Sequence, residues 1–208
     1  MPLRPRATEL VRSFDRSVDQ AFEPLRSSHV ANRVAYLASE SAHNSMLWHA
    51  IGITMAIVRP DLRGRAVRMA ITLGIESILV NGMIKPLVRR ERPGNWEVDQ
   101  HQVRRPKTSS FPSGHSSSAV VAATLLDEAM PRGRVVWWSM ALVVATSRIH
   151  TRMHHASDVV AGAVIGRVIG VRARSAPIPG HTPSARPAGS VSGWRSLLTI
   201  DPSGANDE

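Results

Sequence analysis

The chain has 208 residues, no cysteine and a formal net charge of +10. Its length suits one domain with tails, and the missing cysteine excludes disulfide scaffolds, iron–sulfur clusters and thiol catalysis. Lys85 and Lys107 are the lysines among 26 basic residues, so the charge is almost wholly arginine. A balance of this kind suits nucleic acid, an anionic membrane surface or an anionic substrate. Nucleic acid is the weakest of the three. The arginines are scattered among apolar segments, one Tyr and three Phe offer little stacking surface, and no nucleic-acid signature is present.

The N-terminal residues lack the apolar run of a secretory signal, which argues against a soluble secreted enzyme. Over 8–38, Leu10, Val11, Phe14, Val18, Phe22 and Leu25 recur at helical spacing among Arg12, Asp15, Arg16 and Asp19. The pattern predicts an amphipathic helix, lying either on a protein core or on a membrane interface. Five apolar stretches follow, at 45–58, 66–84, 115–130, 135–149 and 158–171. None is a clean run of the roughly 20 apolar residues that span a bilayer: His49, Arg68, Glu76, Asn81 and Arg167 interrupt them, and Asp127 and Glu128 end one.

Composition nevertheless favours a membrane bundle. The stretches are rich in the small residues that let helices approach in lipid, as in Ala161-Gly162-Ala163-Val164-Ile165-Gly166. Trp137 and Trp138 open the fourth stretch, where interfacial aromatics are placed. Glu76 and Asn81 are candidates to pair with Arg167 or to line a pocket. Short basic connectors at 59–65 and 131–134 join successive stretches; if both face the cytoplasm, the 85–114 loop and the 148–157 region share the opposite side. The charge rule alone does not settle that orientation, because the 85–114 loop is also basic. Beyond 175 the chain turns to Pro, Ser, Gly and Ala and reads as a flexible tail. The expected organisation is all-α: a membrane helical bundle of about five transmembrane helices over 41–174, an N-terminal interfacial segment at 1–40 and a tail at 175–208.

Three strings carry chemistry. In the first, Lys85 precedes Arg92-Pro93 by seven residues. The second is Pro112-Ser113-Gly114-His115 before an apolar run, and the third runs from Ser147-Arg148 to His154 and Asp158. Guanidinium groups bind phosphate oxygens in bidentate fashion, and a lysine adds a point charge. The second string enters a helix, whose first N–H groups make an anion site; Gly114 would let the backbone approach phosphate, Ser113 offers a hydroxyl and His115 a proton. The plainer alternative is a serine-rich N-cap. His154 and Asp158 stand i, i+4, so on a helix they would be neighbours. A carboxylate bonded to one imidazole nitrogen leaves the other as an oriented lone pair. His150, His154 and Asp158 could instead form a metal face, but no glutamate or cysteine completes a ligand set.

At every defining position these strings resemble the signature of the type 2 phosphatidic acid phosphatase superfamily, shared with bacterial nonspecific acid phosphatases and vanadium haloperoxidases. The resemblance covers 85–158, with one apolar stretch fewer than its membrane members usually have. It implies a metal-free, cofactor-free phosphatase. His154 would attack phosphorus and form a phosphohistidine, with Asp158 orienting it. His115 would protonate the departing oxygen and then activate water. Lys85, Arg92, Ser113, Gly114 and Arg148 would hold the phosphate.

The expected substrate is a phosphate or diphosphate monoester of a lipid: polyprenyl diphosphate, phosphatidic acid or phosphatidylglycerol phosphate. The expected setting is a bacterial plasma membrane with the site on its extracytoplasmic face, without nucleic acid or protein partner. A vanadate-dependent haloperoxidase would use the same residues, but the chain is short for one. A nonenzymatic basic protein that binds anionic lipid would leave the two histidines unexplained.

Overall fold

The computed structural model describes residues 5–93 and 108–177, and these are all-helical. Helix α1 spans Pro5–Arg26 and α2 His29–Ser41. The continuous helix expected over 8–38 is therefore divided. The apolar periodicity carries across the junction, but the Ser28 side chain accepts from Ala31 N at 3.4 Å and starts a new helix as its N-cap.

All five apolar stretches are helical. α3 is Met46–Val58; α4 is Arg63–Ser77, continuing through a π-helical segment Ile78–Ile84 into α5, Lys85–Leu87. α6 is Gly114–Ala129, α7 Arg134–His150 and α8 Ala156–Arg174. Short 3-10 turns, Pro60–Leu62 and Pro131–Gly133, return the chain at one end of the bundle. At that end Arg68 donates to Glu128 at 2.5 Å and to the Arg174 carbonyl at 3.2 Å, closing the end of α8. The opposite end gathers Lys85, Gly114, His150 and Ala156 at helix termini, so alternation of direction alone brings the three strings together.

Aliphatic side chains line outer helix faces as well as the apolar core. α8 turns Gly162, Gly166 and Gly170 inward, while Val160, Val164, Val168 and Val171 face outward, Val164 being 59% exposed. α6 and α8 run side by side in the same direction. A side-chain carbon on Gly162 or Gly166 would collide with the main-chain carbonyl of Ser113 or Ser117, respectively. Close approach of two backbones is what glycine at that spacing permits. α4 buries Arg68, Thr72 and Glu76 beside Met69 and Leu73, and exposes Val67, Ile71 and Ile75. The core among α3, α4, α6 and α7 is closed by Trp48, Met69, Leu73, Val121 and Leu126.

One helical run among the described residues, Pro60–Leu87, is long and apolar enough to cross a membrane by length and composition. Glu76 does not pair with Arg167: it is buried inside the bundle, whereas the Arg167 guanidinium stands 6.0 Å from the Trp138 ring centroid.

α1 binds the site end. Its Arg26 donates to the carbonyls of Ile149 at 3.1 Å and His150 at 3.0 Å, where α7 leaves acceptors without helical partners. Its Asp15 accepts from Ser157 N at 2.8 Å and Ser157 Oγ at 2.9 Å, in the first turn of α8. Val18 and Phe22 pack on Ala145, Ile149, Ala156 and Val159. The tail expected from 175 lies outside the described residues beyond 177, as do Lys107 and the 94–107 part of the loop.

Candidate active site

His154 lies in the turn between α7 and α8, not on a helix face shared with Asp158. Its backbone N–H donates to the Arg148 carbonyl at 3.0 Å, beside that of Met153 at 3.1 Å, and Arg152 takes φ 51° to let the chain reverse. The imidazole is 2% exposed. Nδ1 stands 2.6 Å from the Ser110 carbonyl oxygen, and Nε2 stands 3.4 Å from Arg92 Nη1. A carbonyl only accepts and a guanidinium only donates. The proton is therefore on Nδ1, and Nε2 keeps its lone pair. Burial, and then the positive charges of Arg148, Arg92 and Lys85, holds this histidine well below its ordinary pKa of 6.5, so the ring is neutral near pH 7.

Asp158 acts at one remove. Its Oδ2 is 3.9 Å from His154 Nδ1, too long for a hydrogen bond. Instead Oδ2 accepts from Ser110 Oγ at 2.5 Å and from His155 N at 2.9 Å, while Oδ1 accepts from Arg90 Nη1 at 2.5 Å. The carboxylate thus fixes Ser110, and the Ser110 carbonyl fixes the imidazole. Arg90 also donates to Asp15 at 2.6 Å, joining the first helix to this network.

Arg92 is buried, its Nη1 donating to the Met153 carbonyl at 2.6 Å and its Nη2 to the Thr108 carbonyl at 3.3 Å. Arg148 is buried and donates to Ser39 Oγ on α2, with its Nε unpartnered among the described residues. Lys85 interacts electrostatically with Arg92, Arg148, Glu76 and Asp158.

Ser113 is the N-cap of α6, its Oγ accepting from Ser116 N at 3.4 Å and from Ser116 Oγ at 2.8 Å. The hydroxyl is thus occupied as a cap, and what this turn offers an anion is the amides of Gly114 and His115, which have no acceptor within the helix. The Ser113 N–H donates to the Asp158 carbonyl at 3.0 Å and ties this turn to α8. A side chain at Gly114 would meet Asn81 Oδ1 at 2.8 Å. The π-helical segment thereby sets Asn81 against the glycine turn, a use of π-bulges seen at many functional sites. His115 Nε2 is buried without a partner among the described residues, and its ring centroid is 6.2 Å from that of His43. His150 turns away, with Nε2 2.7 Å from Asn32 Oδ1, so the ladder of His150, His154 and Asp158 is not one face.

The structure therefore gathers the eight residues singled out in the sequence at one end of the bundle. Sequence reasoning did not single out Arg90, Ser110, Asp15, Ser39 and His43 as parts of the site. Arg90 lies inside the first string and Ser110 two residues before the second, and that adjacency was the available signal; the three residues from α1, α2 and the turn after α2 had none.

A model of the PAP2 superfamily matches residues 65–177. The chain belongs to that superfamily. Among curated relatives, decaprenylphosphoryl-5-phosphoribose phosphatase of Mycobacterium tuberculosis is 39% identical over 90 residues, 42% of this chain and 48% of that protein. The Mycolicibacterium smegmatis protein of the same name is 32% identical over 129 residues, 60% of this chain and 67% of that protein. The chain spans about half the length of the M. tuberculosis relatives it matches. Two solved structures share the PAP2 fold. One is a transmembrane PAP2-type phosphatidylglycerolphosphate phosphatase from Bacillus subtilis, with TM-score 0.60 and 24% identity over 79% of this chain and 85% of that one. The other is LpxE of Aquifex aeolicus, with TM-score 0.55 and 22% identity over 81% of this chain and 94% of that one.

Proposed function

We propose that this PAP2 protein is a membrane-embedded lipid phosphatase that works without a metal through a phosphohistidine at His154. The observation that carries the reading is the tautomer. Nδ1 is committed to the Ser110 carbonyl, and the Nε2 lone pair is aimed where Arg92 can hold a phosphate oxygen.

Nε2 forms the bond to phosphorus as the bond to the ester oxygen breaks, and His115 gives that oxygen its proton. Lys85, Arg92, Arg148 and the amides of Gly114 and His115 hold the equatorial oxygens, where phosphoryl transfer concentrates charge. Water then attacks the phosphohistidine, losing a proton to His115, and phosphate leaves as Nε2 regains its lone pair. The outward aliphatic faces of α4 and α8 support residence in a bilayer, where a site at one end of the bundle meets a headgroup whose tail stays in lipid. The basic far-end turns, with Arg59, Arg63, Arg132 and Arg134, support a cytoplasmic location for that end and an extracytoplasmic site. Known relatives make a polyprenyl-linked sugar phosphate the first lipid to try, beside phosphatidic acid and phosphatidylglycerol phosphate.

Phosphate release from such lipids is measured in nonionic detergent with EDTA. The reading expects EDTA to leave the rate intact and His154→Ala to lower it by at least about a thousandfold. An acid-labile, alkali-stable phosphoenzyme should be trapped at short times in the unaltered protein. Abolition by EDTA would remove the metal-free step, and an active His154→Ala protein would remove the nucleophile.

A further inference from the structure

A cleft of about 740 Å³ opens beside His154, between α1, the segment following α5 and the turn before α8. His154 is in its wall, while Lys85, His115 and Arg148 are not, so the cleft adjoins the nucleophile but extends away from the other phosphate-binding cations.

Its charge is unbalanced. Three acids face it, Asp15, Asp19 and Glu91, against five arginines. Asp15 is committed to Arg90 and Ser157, and Asp19 to Arg26 at 2.5 Å. Arg90 is committed to Asp15 and Asp158, Arg152 to Glu23 at 2.7 Å, and Arg16 to Glu9 at 3.2 Å. Two arginines remain without an acidic partner among the described residues: Arg12 on α1 and Arg89 in the segment after α5. Guanidinium groups that line one cleft from two elements suit a phosphate-type anion. Glu91 is the one carboxylate left to oppose them.

The apolar residues of α1 indicate the depth at which this happens. Leu10 and Phe14 are exposed, while Asp15, Val18 and Phe22 face the bundle. A helix with one apolar edge outward and arginines beside it lies at headgroup level.

We propose that this cleft is a second anion subsite, in which Arg12 and Arg89 bind another phosphate of the same substrate molecule. The preferred lipid then carries two phosphate groups joined by a short polar spacer. The terminal monoester is cleaved at His154, and the internal diester is held in the cleft. This rests on the phosphatase reading above and adds the class of headgroup.

The test compares two short-chain lipids in nonionic detergent: dioctanoyl phosphatidylglycerol phosphate, with two phosphates, and dioctanoyl phosphatidic acid, with one. The readout is the ratio of their kcat/KM values, which is independent of how much of a variant is correctly folded. In Arg12→Gln/Arg89→Gln the ratio should fall at least tenfold, through the KM for the two-phosphate lipid. A ratio within twofold of the unaltered protein's would overturn the subsite. So would a change that appears only when dioleoyl phosphatidylglycerol is added to the micelles, because the arginines would then serve surrounding lipid. If the unaltered protein releases phosphate from neither lipid, nor from a polyprenyl-linked sugar phosphate, the phosphatase reading itself fails and the subsite falls with it.

Discussion

At the scale of single residues, the imidazole of His154 is oriented by a peptide carbonyl instead of a side chain. His154 and Asp158 were legible as a pair, because histidine four residues before aspartate is a pattern of side chains. The Ser110 carbonyl was not legible, since every residue has one and only the fold decides where it points. The depressed basicity of His154 has a consequence for acid behaviour. A histidine whose folded pKa lies below its unfolded value of about 6.5 contributes stability above that value, and the contribution is lost as the pH falls below it. The ring of His154, the proposed nucleophile, stays unprotonated over more of that range than a free histidine would. The acid limb of kcat/KM assigned to His154 is therefore expected below pH 6.5, and a limb above that value would mean the ring is not buried as described. The substrate phosphate ionises near pH 6 as well, so the profile needs a phosphonate of different pKa as an inhibitor control.

Among elements, α8 is the one whose packing leaves least room. Gly166 faces the Ser117 carbonyl so closely that any side chain there must displace a backbone. An alanine would gain about 1 kcal/mol of helix propensity over glycine, while overpacking costs about 1–3 kcal/mol. Leucine has no such compensation to match its volume. Gly166→Leu is expected to lower the melting temperature in detergent by several degrees, whereas Val164→Leu, on the outward face, should leave it nearly unchanged; equal effects would refute the inward assignment. The helices themselves were readable from their apolar runs. The junction at Ser28 and the π-helical segment were not, because a local cap and one extra residue per turn leave hydrophobic periodicity almost intact. The hydroxyl of Ser113 shows the same limit from the other side, since a serine before a glycine turn suits a cap and an anion site equally, and coordinates make it a cap.

For the whole molecule, direction of travel decides function. Five helices with tight turns at one end collect their other termini, and with them Lys85 and Arg148, at the opposite end, where Arg92 joins them from the segment after α5. A chain without cysteine allows this to be read directly. Single cysteines placed at Arg132 and Glu91 in otherwise unaltered protein should label oppositely with an impermeant maleimide on intact cells, position 91 reacting and position 132 only after permeabilisation. The reverse pattern would put the site in the cytoplasm.

The bond from Asp15 to Ser157 spans 142 residues and ties the earliest helix to the last. During synthesis α1 can already meet the end of α7 through Arg26, but its Asp15 has no Ser157 to clasp until α8 has emerged. The turn bearing His154 therefore acquires its Asp15 brace only once α8 is made, and a chain cut short after α7 would carry Lys85, Arg92 and Arg148 yet lack His154, the proposed nucleophile.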